Sequence, residues 1–207
     1  MDEIKAKVIL PFITPVLSVE LPYEETFRTS LINECLKHRN ESESINTLDA
    51  HRQVGWQSKK ILFSTKDPCL KKVSEFILNS LETMSKYTAN NIDMKNYQIA
   101  REGWININQK GSLHFPHTHG GSTFSGVFYV KVPTIKEIDD KGINKPGFIE
   151  FLDPRNDVTT YAYGVKEFVE SMTFQQQMLM QPKEGTLLVF PAWLKHWVYP
   201  NIENDER

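Results

Sequence analysis

The feature that most constrains the fold of this chain is a change of hydrophobic period near residue 97. Beyond it, apolar residues alternate. Ile99 to Asn108 alternates, and Phe124, Gly126, Phe128, Val130 and Val132 share one strand face, with Ser125, Val127 and Tyr129 on the other. Phe148 to Leu152, Met172 to Gln181, Thr186 to Phe190 and Lys195 to Tyr199 read as further short strands. Gly120-Gly121, Asn144 to Gly147, Asp153-Pro154 and Lys183 to Gly185 supply the turns between them.

Before residue 97 the pattern is mixed. Val8 to Glu20 is apolar, β-branched and interrupted by Pro11 and Pro15, which suits an edge strand. Tyr23, Phe27, Leu31 and Cys35 recur every four residues, so the spacing predicts a helix over residues 23–38. Arg39 to Asp49 is polar and reads as a loop. A second helix is expected where Asp67 can cap it and Pro68 fits its first position. Leu70, Val73, Ile77, Leu81 and Met84 would then form its apolar stripe. Two helices followed by many short strands predict a mainly β sandwich or small barrel with helices packed on one side.

A length of 207 residues is that of one domain. Lys and Arg number 24 against 26 Asp and Glu, a net charge of −2, which excludes a strongly basic nucleic-acid binder. Cys35 and Cys69 are too few for a disulfide framework and do not form a metal-type pair, so they read as reduced thiols of a cytoplasmic protein. Val8 to Val19 is an uncharged, largely apolar run of 12 residues. Spanning a bilayer takes about 20, so no membrane partner is expected.

Three of the six histidines fall in His114-Phe115-Pro116-His117-Thr118-His119. In an extended segment His117 and His119 project to the same side, where both imidazoles can meet one metal ion. His196 lies 77 residues beyond His119, in the apolar, aromatic segment Trp193-Leu194-Lys195-His196-Trp197-Val198. Two ligands on one strand and a third on another leave the remaining positions of a metal open. A regular strand would turn His114 away from this site, although Pro116 interrupts that parity. His38 and His51 read as ordinary surface or satisfied residues. Phe115, Phe124, Trp193 and Trp197 lie near these segments and suit either a core or a substrate mouth.

Several motifs, in order, resemble a known family. They are Gly55-Trp56-Gln57-Ser58; Trp104-Ile105-Asn106-Ile107-Asn108 with Gly111; His117-Thr118-His119-Gly120; Ser125-Gly126-Val127-Phe128-Tyr129; Gly147-Phe148-Ile149-Glu150-Phe151-Leu152-Asp153-Pro154-Arg155; and Gly185-Thr186-Leu187-Leu188-Val189-Phe190-Pro191-Ala192-Trp193-Leu194 followed by His196. Together they resemble the 2-oxoglutarate and Fe(II)-dependent oxygenases, in the small bacterial and phage branch of the prolyl-hydroxylase-like group.

The resemblance implies a double-stranded β-helix, or jelly roll, with N-terminal helices on its outer sheet. It implies Fe(II) as cofactor, 2-oxoglutarate as cosubstrate, and His117, His119 and His196 as metal ligands. The wider superfamily places an acid where His119 stands. Three neutral imidazoles would suit Zn(II) or Ni(II) as well as Fe(II), unless Glu150 or Asp153 supplies negative charge from nearby. The far carboxylate of 2-oxoglutarate needs a cation, and a guanidinium fork matches it. A basic residue shortly after the distal histidine serves in the family, and Arg207 stands 11 positions after His196. Asn106, Asn108 and Tyr129 are secondary candidates for cosubstrate or substrate contacts. Arg155 suits a structural turn equally well.

In the family the clamp arginine begins a final strand, so the expectation is one domain over residues 1–207 that lacks that strand. Residues 1–96 would form the buttress and residues 97–207 the metal-bearing core. Arg207 would then be poorly anchored, and an exposed strand edge could pair with a second copy of the chain. Two other functions fit the same residues. One is a three-histidine, cupin-like dioxygenase that uses no 2-oxoglutarate; the other is a jelly-roll binding module without turnover.

Overall fold

The computed structural model describes residues 13–45, 55–88, 93, 96–134, 145–155 and 177–207. Among them, nine strands and two helices follow in the order β1 (Leu17–Glu20), α1 (Glu25–Glu41), β2 (Trp56–Gln57), α2 (Pro68–Thr88), β3 (Asn106–Ile107), β4 (His114–His117), β5 (Phe124–Phe128), β6 (Ile149–Leu152), β7 (Gln177–Met180), β8 (Thr186–Pro191) and β9 (His196–Val198). The strands form antiparallel sheets of order β1-β8-β5 and β4-β9-β6-β7, with β2 paired to β3.

β8 explains the layering. All six of its residues are buried. Leu188 and Phe190 join Tyr129, Ile149, Phe151 and Leu194 in a core between the two larger sheets. Leu187 and Val189 point the other way and pack with Met84, Phe76, Ile77 and Leu81 of α2. A strand covered on both faces needs a continuous apolar run, which Thr186 to Phe190 supplies. Gly126 of β5 lets the neighbouring strand close in, because a Cβ there would lie 2.5 Å from the Leu188 carbonyl oxygen.

The helices follow local chemistry. Asp67 Oδ1 accepts hydrogen bonds from the amides of Cys69 and Leu70, both at 2.9 Å, and Pro68 opens α2. The stripe of α2 is split between two cores. Leu70 and Val73 meet Leu31 and Cys35 of α1, whereas Met84 meets β8. α1 runs three residues further than its apolar spacing predicts, so Arg39 to Glu41 is helical rather than loop. Arg39 reaches Glu206 at 2.6 Å, an ion pair outside any apolar pattern.

β1 is an edge strand as expected, confined to Leu17–Glu20; residues 8–12 lie outside the described residues. Only Asn106–Ile107 of the alternating stretch from Ile99 pairs as a strand. Phe124, Phe128 and Val130 pack toward the helices and Val127 and Tyr129 into the inter-sheet core, but Val132 joins that inner core, against the alternation. Within Met172 to Gln181 the strand covers Gln177–Met180, and residues 172–176 lie outside the described residues, as does His51.

Candidate active site

β4 and β9 bring the histidines together. His117 pairs with His196 across the ladder. Just past β4, the His119 amide donates to the Ala192 carbonyl at 2.9 Å, tying its segment to the turn that leads into β9. The ring centroids of His117 and His196 lie 4.4 Å apart, those of His117 and His119 5.0 Å, and those of His119 and His196 5.2 Å. One ring nitrogen from each falls within 4.8 Å of the others.

The donor chemistry fits a metal. His117 Nδ1 lies 2.7 Å from the Phe115 carbonyl oxygen, and His196 Nδ1 lies 2.8 Å from that of Leu194. A carbonyl oxygen only accepts, so both Nδ1 atoms carry the proton and both Nε2 atoms keep their lone pairs. Burial, partly offset by the Leu194 carbonyl and reinforced by His117 and His119, drives the His196 pKa down to about 4. His196 is therefore a neutral base at physiological pH, the form that binds a cation.

A β-bulge changes the place of His114. The register shifts between His114, opposite Val198, and His117, opposite His196. Val198 and His196 share a face of β9, so the extra residue turns His114 to the same side as the three histidines, against the parity expected of a regular strand. Its ring centroid is 6.4 Å from that of His117.

Arg207 is anchored, contrary to expectation. Its backbone exchanges hydrogen bonds with Asn108 at 2.7 and 2.9 Å. Its Nη1 donates to the Gly147 carbonyl at 2.7 Å. Gly147 has φ +70° and no Cβ; a Cβ there would come within 2.6 Å of Arg207 Nη1. The preceding turn is held by the buried Asn201, whose side-chain amide donates to the backbone oxygens of Asn108 and Asp205. Burial pulls the Arg207 pKa below its usual value, opposed by Tyr129, and no carboxylate side chain pairs with it among the described residues. Burial pushes the Tyr129 hydroxyl up to about 12, with the Arg207 charge acting the other way. Asn106 and Asn108 carry buried side-chain oxygens with no hydrogen-bond donor among the described residues. Histidines, asparagines, Tyr129 and Arg207 line one continuous cavity.

The acids named for charge compensation lie elsewhere. Glu150 sits opposite Trp197, on the face of β6 turned away from Phe151 and His196, and accepts a 2.6 Å hydrogen bond from Tyr199. Burial and this carboxylate push the Tyr199 pKa to about 12. Asp153 pairs with Arg155 at 2.5 Å in an exposed turn, which fits the structural reading of Arg155. Phe124 is core and Trp197 stacks on Tyr199, whereas Phe115 and Trp193 are 43% and 54% exposed. Sequence reasoning missed Gly147 and Asn201, whose roles depend on what packs against them; the turn at Asn144 to Gly147 was the available signal for the glycine.

Comparison with known proteins completes the picture. No curated protein matches the sequence significantly. The fold resembles that of a Pseudomonas putida prolyl-4-hydroxylase, with a TM-score of 0.58 and 14% identity over 93% of this chain and 87% of that one. The model of a family described as "Putative 2OG-Fe(II) oxygenase" matches residues 102–207. That span leaves Gly55 to Ser58 outside the match but contains the histidine segment, Tyr129, Gly147 and Arg207. The chain thus belongs to the 2OG-Fe(II) oxygenases, non-haem iron dioxygenases with Fe(II) as cofactor and 2-oxoglutarate as cosubstrate.

Proposed function

We propose that this protein is a hydroxylase-type oxygenase in which His117, His119 and His196 hold Fe(II) and Arg207 takes the far carboxylate of 2-oxoglutarate. The observation that carries this assignment is a buried guanidinium without an acidic partner among the described residues, held by the Gly147 carbonyl just before the sheet strand β6, in the same cavity as three converging imidazoles. A desolvated cation left unpaired is costly, and a carboxylate in a bidentate contact removes that cost. The two larger sheets with their shared core support a double-stranded β-helix.

Each side chain then has a defined task. The Phe115 and Leu194 carbonyls fix the tautomers of His117 and His196, so their Nε2 atoms stay oriented and unprotonated. Tyr129, next to the Arg207 charge, can donate its hydroxyl proton to the same carboxylate. Asn106 and Asn108 present acceptors to donors on cosubstrate or substrate. The enclosing apolar core, with Phe151, Phe190 and Leu194, keeps water from this end of the cavity. Bound iron with 2-oxoglutarate supplies the chemistry, coupling decarboxylation to succinate with oxygen insertion into a substrate. No residue beyond the metal ligands is assigned a catalytic role. The free Cys35 and Cys69 support a reducing, cytoplasmic setting, and no helix among the described residues is long and apolar enough to cross a membrane.

The test is turnover without a prime substrate. Protein loaded with Fe(II) under air should convert 2-oxoglutarate to succinate slowly, and His117→Ala should not. Succinate formation at the same rate in His117→Ala would refute the metal assignment.

A further inference from the structure

The four-stranded sheet carries successive rows of side chains on its core-facing side. One row runs His117, His196, Phe151 and Met178 across β4, β9, β6 and β7. The next runs His114, Val198, Ile149 and Met180. One step further, the Gly147 amide donates to the Pro200 carbonyl, and the Gly147 carbonyl receives Arg207 Nη1. Rows on one face are two residues apart, about 7 Å. The three rows therefore place a metal site, an intervening row and a cation site in sequence along the sheet.

The intervening row is apolar apart from one member. Val198, Ile149 and Met180 offer only hydrocarbon and thioether surface and belong to the inter-sheet core. His114 supplies the imidazole, and it faces this way only because of the bulge. Its Nε2 is buried. At 6.4 Å between ring centroids from His117 it stands outside the convergent set of three.

A five-carbon dicarboxylate measures about 5 Å between its end carbons. A molecule chelated at the first row and paired at the third must cross the second. Its methylenes would meet Val198 and Ile149, and its keto-acid end would pass the edge occupied by His114. We propose that His114 contacts the cosubstrate, with its ring hydrogen-bonded to the keto-acid end of 2-oxoglutarate. This rests on the cofactor and clamp assignments above and adds a third point of recognition between them.

The experiment is an anaerobic titration of Fe(II)-loaded protein with 2-oxoglutarate. It is followed by calorimetry and by the visible charge-transfer band of an iron-chelated keto acid. His114→Phe keeps the ring volume and removes both nitrogens; His114→Leu replaces it if the larger ring does not pack. Either variant should bind Fe(II) as the wild type does. Its 2-oxoglutarate Kd should rise about 10-fold or more, the size of a hydrogen bond to a charged group, and the band should shift. His114→Gln should recover most of the affinity. A Kd within twofold of the wild type overturns the proposal, and so does loss of iron binding in the His114 variants. A wild type that binds Fe(II) but gives neither heat nor band with 2-oxoglutarate instead refutes the cosubstrate reading, and this contact with it.

Discussion

The two ends of the candidate site solve opposite problems. At one end, three imidazoles converge on a position that suits a cation, with the Nδ1 atoms of two of them on backbone carbonyls. At the other, one buried guanidinium is held by a single carbonyl and by its own backbone pairing with Asn108. The first end is built on two paired strands, so its geometry follows from register. The second is built from a turn, a glycine without a Cβ and the last residue of the chain. The difference teaches that metal affinity and cosubstrate affinity should be separable by mutation.

The largest expected effect is at the first end. His196→Ala removes the buried member of the proposed metal set and should abolish stoichiometric Fe(II) binding by equilibrium dialysis. Because the metal completes the chelate, 2-oxoglutarate binding should vanish with it. At the second end, Arg207→Ala should leave Fe(II) binding unchanged and weaken 2-oxoglutarate about 10- to 100-fold by calorimetry, as expected for a charge-assisted pair. Equal loss of metal in Arg207→Ala would break the separation. Gly147→Ala sharpens the comparison, since it pushes on Nη1 without removing the charge. A smaller loss of 2-oxoglutarate affinity, with intact iron binding, is expected there.

The ends also differ in their response to acid. His196 has a folded pKa of about 4, below the usual value of 6.5. The unfolded chain therefore takes up this proton first as the pH falls. Its contribution to the stability of metal-free protein is fully present above about pH 6.5 and is lost progressively as the pH falls toward 4. It amounts to about 3 kcal/mol when fully lost. Thermal melts of metal-free protein over that window should show the decline, reduced in His196→Phe. The smallest effect lies far from either end: Asp67→Ala removes the α2 cap and should cost about 1 kcal/mol in a denaturant melt, without altering iron or 2-oxoglutarate binding.

Much of the metal end is legible in the sequence. His117-Thr118-His119 places two imidazoles on one side, and His196 stands out in an apolar strand. β8 and the α2 cap are equally plain, because a double-buried strand and an Asp-Pro start leave local signatures. The bulge at β4 is not legible, since one extra residue reverses the facing of His114 and leaves only Pro116 as a hint. The anchoring of Arg207 is hidden for another reason. Its partners, Asn108 and Gly147, lie 99 and 60 positions away, and neither residue type announces the contact. Glu150 is misleading for a similar cause: it stands one register step from His196 across the β6–β9 ladder, but strand parity turns it to the opposite face of the sheet.

The most direct test of the two-ended site is a crystal structure of the Fe(II)-loaded protein with a non-reactive 2-oxoglutarate analogue. Anomalous density for iron bounded by His117, His119 and His196 is expected, with the analogue's far carboxylate on the Arg207 guanidinium. Iron ligated elsewhere, or a far carboxylate that leaves Arg207 on Gly147 alone, would contradict it.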